Sequence, residues 1–268
     1  MSIVKETHVV YTVQRGDTLF SIASRYGSTP TEIQNANLLY PPVTDPALIY
    51  PGWTLLIPVP SDPASRTIYI TAPGDTLYRI GYRFSAHADV LAGINRQIQN
   101  QNAIYVGQPL SVPAFVYEVE PGDTLSGIAK ALQIPVSDLL YANEGRPGFS
   151  LDFIYAGYRL LVPSPSSRNI VVIRPYPGEA FRSGDRTEGF ARAFEANVLM
   201  ELRDDNGVIV SNERYTTASA GGPAYGYFAS GIPFDRAPTA PGGELWVYAR
   251  SANDGRIIDL VQVRVAFN

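Results

Sequence analysis

The sequence predicts a multidomain chain: three small α+β units, each ordered strand, helix, helix, strand (βααβ), followed by an all-β sandwich. Three observations carry this. The tetrapeptide Gly-Asp-Thr-Leu recurs at Gly16-Asp17-Thr18-Leu19, at Gly74-Asp75-Thr76-Leu77 and at Gly122-Asp123-Thr124-Leu125. Each copy follows a β-branched and aromatic run and opens a segment with apolar residues at helical spacing. From Arg168 onward that spacing gives way to strand alternation and Gly/Pro-rich turns. Internal repetition outranks a length prior for 268 residues and divides the chain into 9–58, 67–113, 115–163 and 168–268.

Each element has a local cause. The first strands are predicted at Val9 to Val13, Thr67 to Thr71 and Phe115 to Val119, and the closing strands at Thr54 to Ile57, Pro109 to Val112 and Arg159 to Val162. In the tetrapeptide Gly lets the backbone reverse, Asp or Thr accepts from the first free helix amides, and Leu begins the buried face. In the first copy that face runs through Ile22, Ala23 and Tyr26 to a left-handed stop at Gly27, and in the third through Ile128, Ala129 and Leu132. Thr29-Pro30-Thr31-Glu32 starts the second helix, with Pro at the first helical position and Glu three after the cap.

The spacing is tighter than the tetrapeptide alone. Twenty residues separate Asp17 from Asn37, Asp75 from Asn95 and Asp123 from Asn143, and nine separate Ile49 from Pro58, Ile104 from Pro113 and Ile154 from Pro163. The stretch between these anchors varies, at twelve, nine and eleven residues, which predicts a fixed scaffold with one adjustable loop. Pro58 to Arg66 reads as a Pro/Ser-rich spacer, and Ala114 alone separates the second and third units. Each unit of near 50 residues is small for a core without disulfides, so modest stability is expected. In the last segment Ala196, Val198, Met200 and Leu202 alternate up to an Asp204-Asp205-Asn206-Gly207 turn, and Asn253-Asp254-Gly255 joins Leu245 to Ala249 with Ile257 to Phe267.

Composition narrows function by exclusion. A net charge of −4 offers no basic field for a phosphate backbone, so no nucleic-acid partner is expected. With no Cys there is no disulfide framework, no thiolate metal site and no cysteine nucleophile. His8 and His87 lie in different units, so no Ser-His-Asp or zinc arrangement assembles, and His87 stands at the cap position that Thr29 holds in the first unit. The glutamates of the last segment read as surface charge, and Asp204 to Gly207 as a hairpin turn in preference to a calcium loop. No catalytic residue, metal or cofactor is predicted. No apolar run reaches a membrane span, and Met1 to His8 lacks the apolar core of a secretion signal.

The three units resemble LysM modules on Gly-Asp-Thr-Leu-x-x-Ile-Ala in the first and third copies, the helix-ending Asn, and Ile-Tyr-x-Gly before the closing strand and Pro. The second copy departs with Arg79 inside the motif and Gly81 in place of Ala. Residues 168–268 resemble an immunoglobulin-like domain of the Gmad type on Pro175-Tyr176-Pro177-Gly178, Arg192 to Asn197, Asp204-x-x-Gly207 and Ser251-Ala252-x-Asp254-Gly255. The resemblance implies βααβ folds and an immunoglobulin-like sandwich in a bacterial protein of the cell wall or envelope. For the three units it also implies binding of N-acetylglucosamine polymers, peptidoglycan or chitin; for 168–268 it implies a fold and a setting, and that segment is expected to serve as a spacer or a protein-contact domain.

It places a sugar groove between two loops of each module. These are Gly16, Asp17, Thr18 and Leu19 facing Leu48, Ile49 and Tyr50; Gly74, Asp75, Thr76 and Leu77 facing Ala103, Ile104 and Tyr105; and Gly122, Asp123, Thr124 and Leu125 facing Phe153, Ile154 and Tyr155. Backbone N–H and C=O groups suit the acetamido group, and apolar side chains its methyl and the ring face. At single positions the residues themselves predict plainer roles. Asp17, Asp75 and Asp123 read as helix caps, the three motif Leu as core or groove alike, and Asn37, Asn95 and Asn143 as structural helix ends. Each Tyr of the Ile-Tyr pairs is expected at the surface, because strand alternation sets it opposite its buried Ile neighbour.

Overall fold

Two-stranded ribbons are marginal in water, and the repeats avoid standing on them alone. The computed structural model describes residues 2–45, 48–62 and 64–267. The predicted adjustable loop Asn37 to Ile49 includes Pro46 and Ala47, and the predicted spacer includes Pro63, which lie outside the described residues, as do the terminal Met1 and Asn268.

The first module is β2 (Thr7–Thr12), α1 (Leu19–Tyr26), α2 (Pro30–Ala36) and β3 (Thr54–Val59), preceded by a short strand β1 (Ser2–Val4). The second is β4 (Thr67–Ile70), α3 (Leu77–Arg83), α4 (Ala88–Ile94) and β5 (Pro109–Val112), and the third β6 (Ala114–Glu118), α5 (Leu125–Leu132), α6 (Val136–Asn143) and β7 (Arg159–Pro163). Helix starts follow the sequence: Thr29 and Glu32 form a capping box, Pro30 stands at the first turn, and Gly27 ends α1 at φ +68°. His87 caps α4 by accepting from the Asp89 amide.

Modules one and two share a single sheet in the order β3-β2-β4-β5, with β2 and β4 parallel through His8 opposite Thr67, Val9 opposite Ile68 and Val10 opposite Tyr69. Pro58 and Val59, expected in the spacer, instead extend the closing strand β3 two residues beyond the predicted Ile57, because they pair with His8 and Thr7. β2 starts at Thr7, two residues before the predicted Val9, because Thr7 and His8 pair with Val59 and Pro58 and are buried. Module three forms its own sheet, β1-β6-β7, completed by the N-terminal strand that periodicity did not reveal.

The stretches expected to be adjustable loops also carry contacts between modules. The Arg146 guanidinium, buried, donates to Asn143 Oδ1 at 3.0 Å, to Asn37 Oδ1 at 3.2 Å and to the Arg159 carbonyl, and lies 4.8 Å from the Tyr158 ring centroid. Thr54 N donates to the Gly145 carbonyl at 2.9 Å, and a Cβ on Gly148 would meet Val43 Cγ1 at 2.1 Å. Glu6 accepts from Arg159 at 2.6 Å, which ties the segment before β2 to β7.

The contacts divide the chain into two compact units, one holding most of the three modules and the other residues 85–99, 130–134 and 164–268. The second contains β8 (Ile170–Arg174), β9 (Glu179–Ala180), β10 (Arg186–Ala191), β11 (Asn197–Asp204), β12 (Ile209–Thr217), β13 (Gly226–Gly231), β14 (Gly242–Arg250) and β15 (Ile257–Ala266). Their orders are β13-β10-β8 and β12-β11-β14-β15-β9, two sheets around a core that includes Val198, Met200, Leu202, Phe228 and Val263. The β11–β12 hairpin turns as predicted, with Asp204 accepting from Asn206 N, Val208 N and Thr239. Helix α4 belongs to this unit: Val90 packs with Val171 and Tyr225, and Arg192 donates to Asp89 at 3.1 Å.

Candidate functional site

Each module presents two tight turns side by side. In the first turn the amide of the motif Asp donates back three residues, Asp17 to Gln14, Asp75 to Ala72 and Asp123 to Glu120, at 3.1 to 3.2 Å. Gly16, Gly74 and Gly122 occupy the third position at φ +90°, +85° and +92°, the geometry of a type II turn. Pro73 and Pro121 pre-set the second position in two of the three.

The second turn is the Tyr-x-Gly of the Ile-Tyr motif. Trp53 N donates to Tyr50 O, Gln108 N to Tyr105 O and Tyr158 N to Tyr155 O, with Gly52, Gly107 and Gly157 at φ +92°, +83° and +84°. The glycine amide then donates to the carbonyl of the residue just after the first strand: Gly52 to Val13 at 2.9 Å, Gly107 to Thr71 at 2.8 Å and Gly157 to Val119 at 2.7 Å. These bonds put the second turn beside the residue from which the first turn departs, so the structure brings the two predicted halves together in all three modules.

The motif aspartates are not helix caps. Thr18, Thr76 and Thr124 do that work, accepting from the amides of Ser21, Arg79 and Gly127 at 3.0 to 3.1 Å. Each Asp turns back into its own loop, accepting from the amide of Gln14, Ala72 or Glu120 at 2.6 to 2.8 Å. It also accepts from the hydroxyl of a strand tyrosine six residues earlier, Tyr11, Tyr69 or Tyr117, at 2.6 to 2.9 Å. The carboxylate is one residue too early to reach the helix amides, and the threonine hydroxyl is correctly placed. Burial, with the Asp17 carboxylate beside it, pushes the Tyr11 hydroxyl up to about 12, and Tyr69 and Tyr117 are raised for the same reasons. The recurring Tyr at six before Asp is a signal that sequence reasoning missed.

One family model, the LysM domain, matches residues 11–58, 69–113 and 117–163, more than half of the chain. The chain is a member of the LysM family. A second model, described as an immunoglobulin-like domain of bacterial spore germination, matches 169–256. The secreted LysM effector ECP6 of Passalora fulva is 30% identical over 52% of this chain and 71% of its own. The putative sporulation-specific glycosylase YdhD of Bacillus subtilis is 39% identical over 37% of this chain and 23% of its own. The spore cortex-lytic enzyme SleL of Bacillus cereus shares 34% identity over 40% of this chain and 22% of its own, with a TM-score of 0.31. The chain thus spans under a quarter of the length of these two enzymes.

Within the three LysM units the predicted residues divide by exposure. Gly16, Thr18, Gly74, Thr76, Gly122 and Thr124 are exposed at the first turn. Leu48, Tyr50, Ala103, Tyr105 and Phe153 are exposed at the facing loop, Tyr105 at 67%. Ile49, Ile104, Ile154 and Tyr155 are half-buried. Leu77 and Leu125 are core residues and Leu19 is half-buried against the first module's core, so the motif Leu belongs to the packing below the turn and not to its exposed surface. The Ile-Tyr pairs lie outside strands, and the turn, not strand alternation, turns Tyr50 and Tyr105 outward.

Asn37 and Asn143 serve the frame. The Nδ2 of each donates to a helix carbonyl, Ile33 or Leu139, and to a closing-strand carbonyl, Leu56 or Leu161, while Oδ1 accepts from the same strand residue. This fastens the second helix to the closing strand and so fixes the loop between them. Among the described residues no helix is long and apolar enough to cross a membrane.

Proposed function

We propose that the chain binds N-acetylglucosamine-containing glycans without chemical turnover, peptidoglycan foremost and chitin-type chains as the alternative, at the bacterial cell envelope. The contacts are made by backbone groups of Gly16 to Leu19, Gly74 to Leu77 and Gly122 to Leu125. Leu48 to Tyr50, Ala103 to Tyr105 and Phe153 to Tyr155 cover the sugar from the other side. The observation that carries this reading is the paired-turn geometry, repeated three times with open lips. Exposed peptide groups beside exposed aliphatic and aromatic surface suit an uncharged acetylated pyranose. Shallow single sites bind weakly, and three on one chain raise avidity up to about 10²–10⁴-fold where geometry allows.

Insoluble peptidoglycan is expected to sediment the protein, with Tyr50→Ala, Tyr105→Ala and Phe153→Ala each reducing retention in part and the triple variant reducing it most. Point variants are the proper test, because modules one and two share a sheet and a module deletion would unfold its neighbour. Absence of sedimentation with both peptidoglycan and chitin rejects the reading. Release of soluble muropeptides from purified walls rejects its non-catalytic part.

A second reading, an envelope or spore interaction protein with modules serving partly as docking surfaces, is favoured by the module contacts of Arg146 and Gly148 and by the match of 169–256 to a spore-germination domain. Retention by a protein partner with no response to chitin oligomers would select it.

A further inference from the structure

Module two carries a cleft apart from its paired turns. Helix α3 and helix α6 enclose about 620 Å³ lined by Tyr78, Arg79, Tyr82, Arg83, Tyr141 and Glu144, with Tyr69 and Asp75 at its inner end. Tyr78 and Tyr82, four residues apart on one face of α3, are 76% and 56% exposed. The Tyr82 ring stands 4.6 Å from that of Tyr141 on α6.

The walls are fixed in place. Arg83 reaches across from α3 and donates to the Ala142 carbonyl at 3.3 Å and the Glu144 carbonyl at 2.8 Å at the end of α6. Asp75 is engaged by Tyr69 and the Ala72 amide. The exposed tyrosines are not a demand of the fold. At the position of Tyr78 module one carries Phe20, which is also exposed, and module three Ser126; at the position of Tyr82 they carry Ser24 and Lys130, so the aromatic pair is particular to module two. Exposed aromatic side chains grouped beside a cleft are the kind of surface that marks interaction sites.

We infer that this cleft is a further saccharide subsite, shared by modules two and three, that takes an uncharged N-acetylated pyranose stretch of the same glycan. The inference rests on the proposed glycan-binding function. Asp75 belongs both to the module-two turn and to the cleft lining, so the cleft adjoins the paired turns. Tyrosine faces suit the C–H faces of a pyranose, and hydroxyls with a charged rim suit its O–H and acetamido groups. Two arginines oppose two carboxylates across the lining, which gives no net attraction for a phosphate or other polyanion. The volume lies in the ordinary range for a small-molecule site, about 300–1,000 Å³.

The test is calorimetric titration of the full chain with N-acetylglucosamine hexamer, comparing wild type with Tyr78→Ala/Tyr82→Ala and with Tyr141→Ala, each checked for native circular dichroism. The hexamer is expected to bind about tenfold more weakly to the double variant and also more weakly to Tyr141→Ala, while the dimer, short enough for one pair of turns, binds all three proteins alike. Wild-type hexamer affinity in both folded variants overturns the subsite and leaves the proposed function standing. Silence of the wild type with every oligomer overturns the subsite, and the proposed function falls with it only where insoluble peptidoglycan and chitin also fail to sediment the protein. Sedimentation equilibrium showing a wild-type dimer that Tyr78→Ala/Tyr82→Ala dissolves would assign the cleft to a second copy of the chain and overturn the saccharide subsite.

Discussion

Asp123 closes its turn with two hydrogen bonds, from Tyr117 Oη at 2.7 Å and Glu120 N at 2.8 Å. Asp123→Ala leaves both donors without their acceptor and is expected to cost about 1–3 kcal/mol in denaturant unfolding, whereas Tyr117→Phe removes one bond and costs about 1 kcal/mol. His8 is buried, with Nδ1 3.1 Å from the Glu6 carbonyl and Nε2 3.2 Å from its carboxylate. Burial holds its imidazole below the ordinary 6.5 despite Glu6, so the unfolded chain takes up the proton more readily. Stability is therefore present above about pH 6.5 and declines as the pH falls below it. Glu6, lowered by its hydrogen bond to His8 and by Arg159, adds a second loss of the same sign below about pH 4.5. Urea midpoints measured against pH should show the upper slope in wild type and lose it in His8→Gln.

At the scale of the element, glycines with different surroundings give opposite tests of one substitution. Gly157 lies at φ +84° with open space where a Cβ would go, so Gly157→Ala isolates the backbone cost, about 1–2 kcal/mol. Gly93 has ordinary helical backbone, where Ala alone would gain about 1 kcal/mol. A Cβ there would lie 2.1 Å from Tyr225 Cδ2, and the overpacking cost of about 1–3 kcal/mol outweighs the propensity gain. Thermal unfolding should show both variants destabilised, with Gly93→Ala also disturbing the packing of α4 on β8. The helices and most strands were legible because their signals are local: caps, a Pro at the first turn, alternation ending at Gly. The short strand β1 was not legible, since three residues carry no period and only pairing with β6 makes them a strand. The aspartate role was misread for a related reason, because its partner is a tyrosine on the preceding strand.

For the whole molecule, the expected modest stability of a 50-residue unit is answered by shared sheets and by one buried cation. Burial lowers the Arg146 guanidinium from its ordinary value, and its charge is offset by carbonyl and amide oxygens and the Tyr158 ring in place of a carboxylate. Arg146→Met is expected to cost about 2–3 kcal/mol, since it removes the charge-assisted hydrogen bonds that join Asn37 of module one to Asn143 of module three and leaves each Oδ1 only its strand amide. Denaturant unfolding measures that cost, and limited proteolysis should show faster cleavage within 144–153 as the module contact loosens.

By itself the sequence determined the repeat, the βααβ order and the residues from which a sugar groove could be built, because turn chemistry and helix caps act over a few neighbours. The tertiary structure alone decided how those pieces share strands and which motif side chains are open. Parallel pairing of β2 with β4, the reach of Arg146 from Asn143 to Asn37 and the meeting of Tyr82 with Tyr141 join residues far apart in the chain. Contacts of that kind depend on packing among whole elements, and no local pattern encodes them.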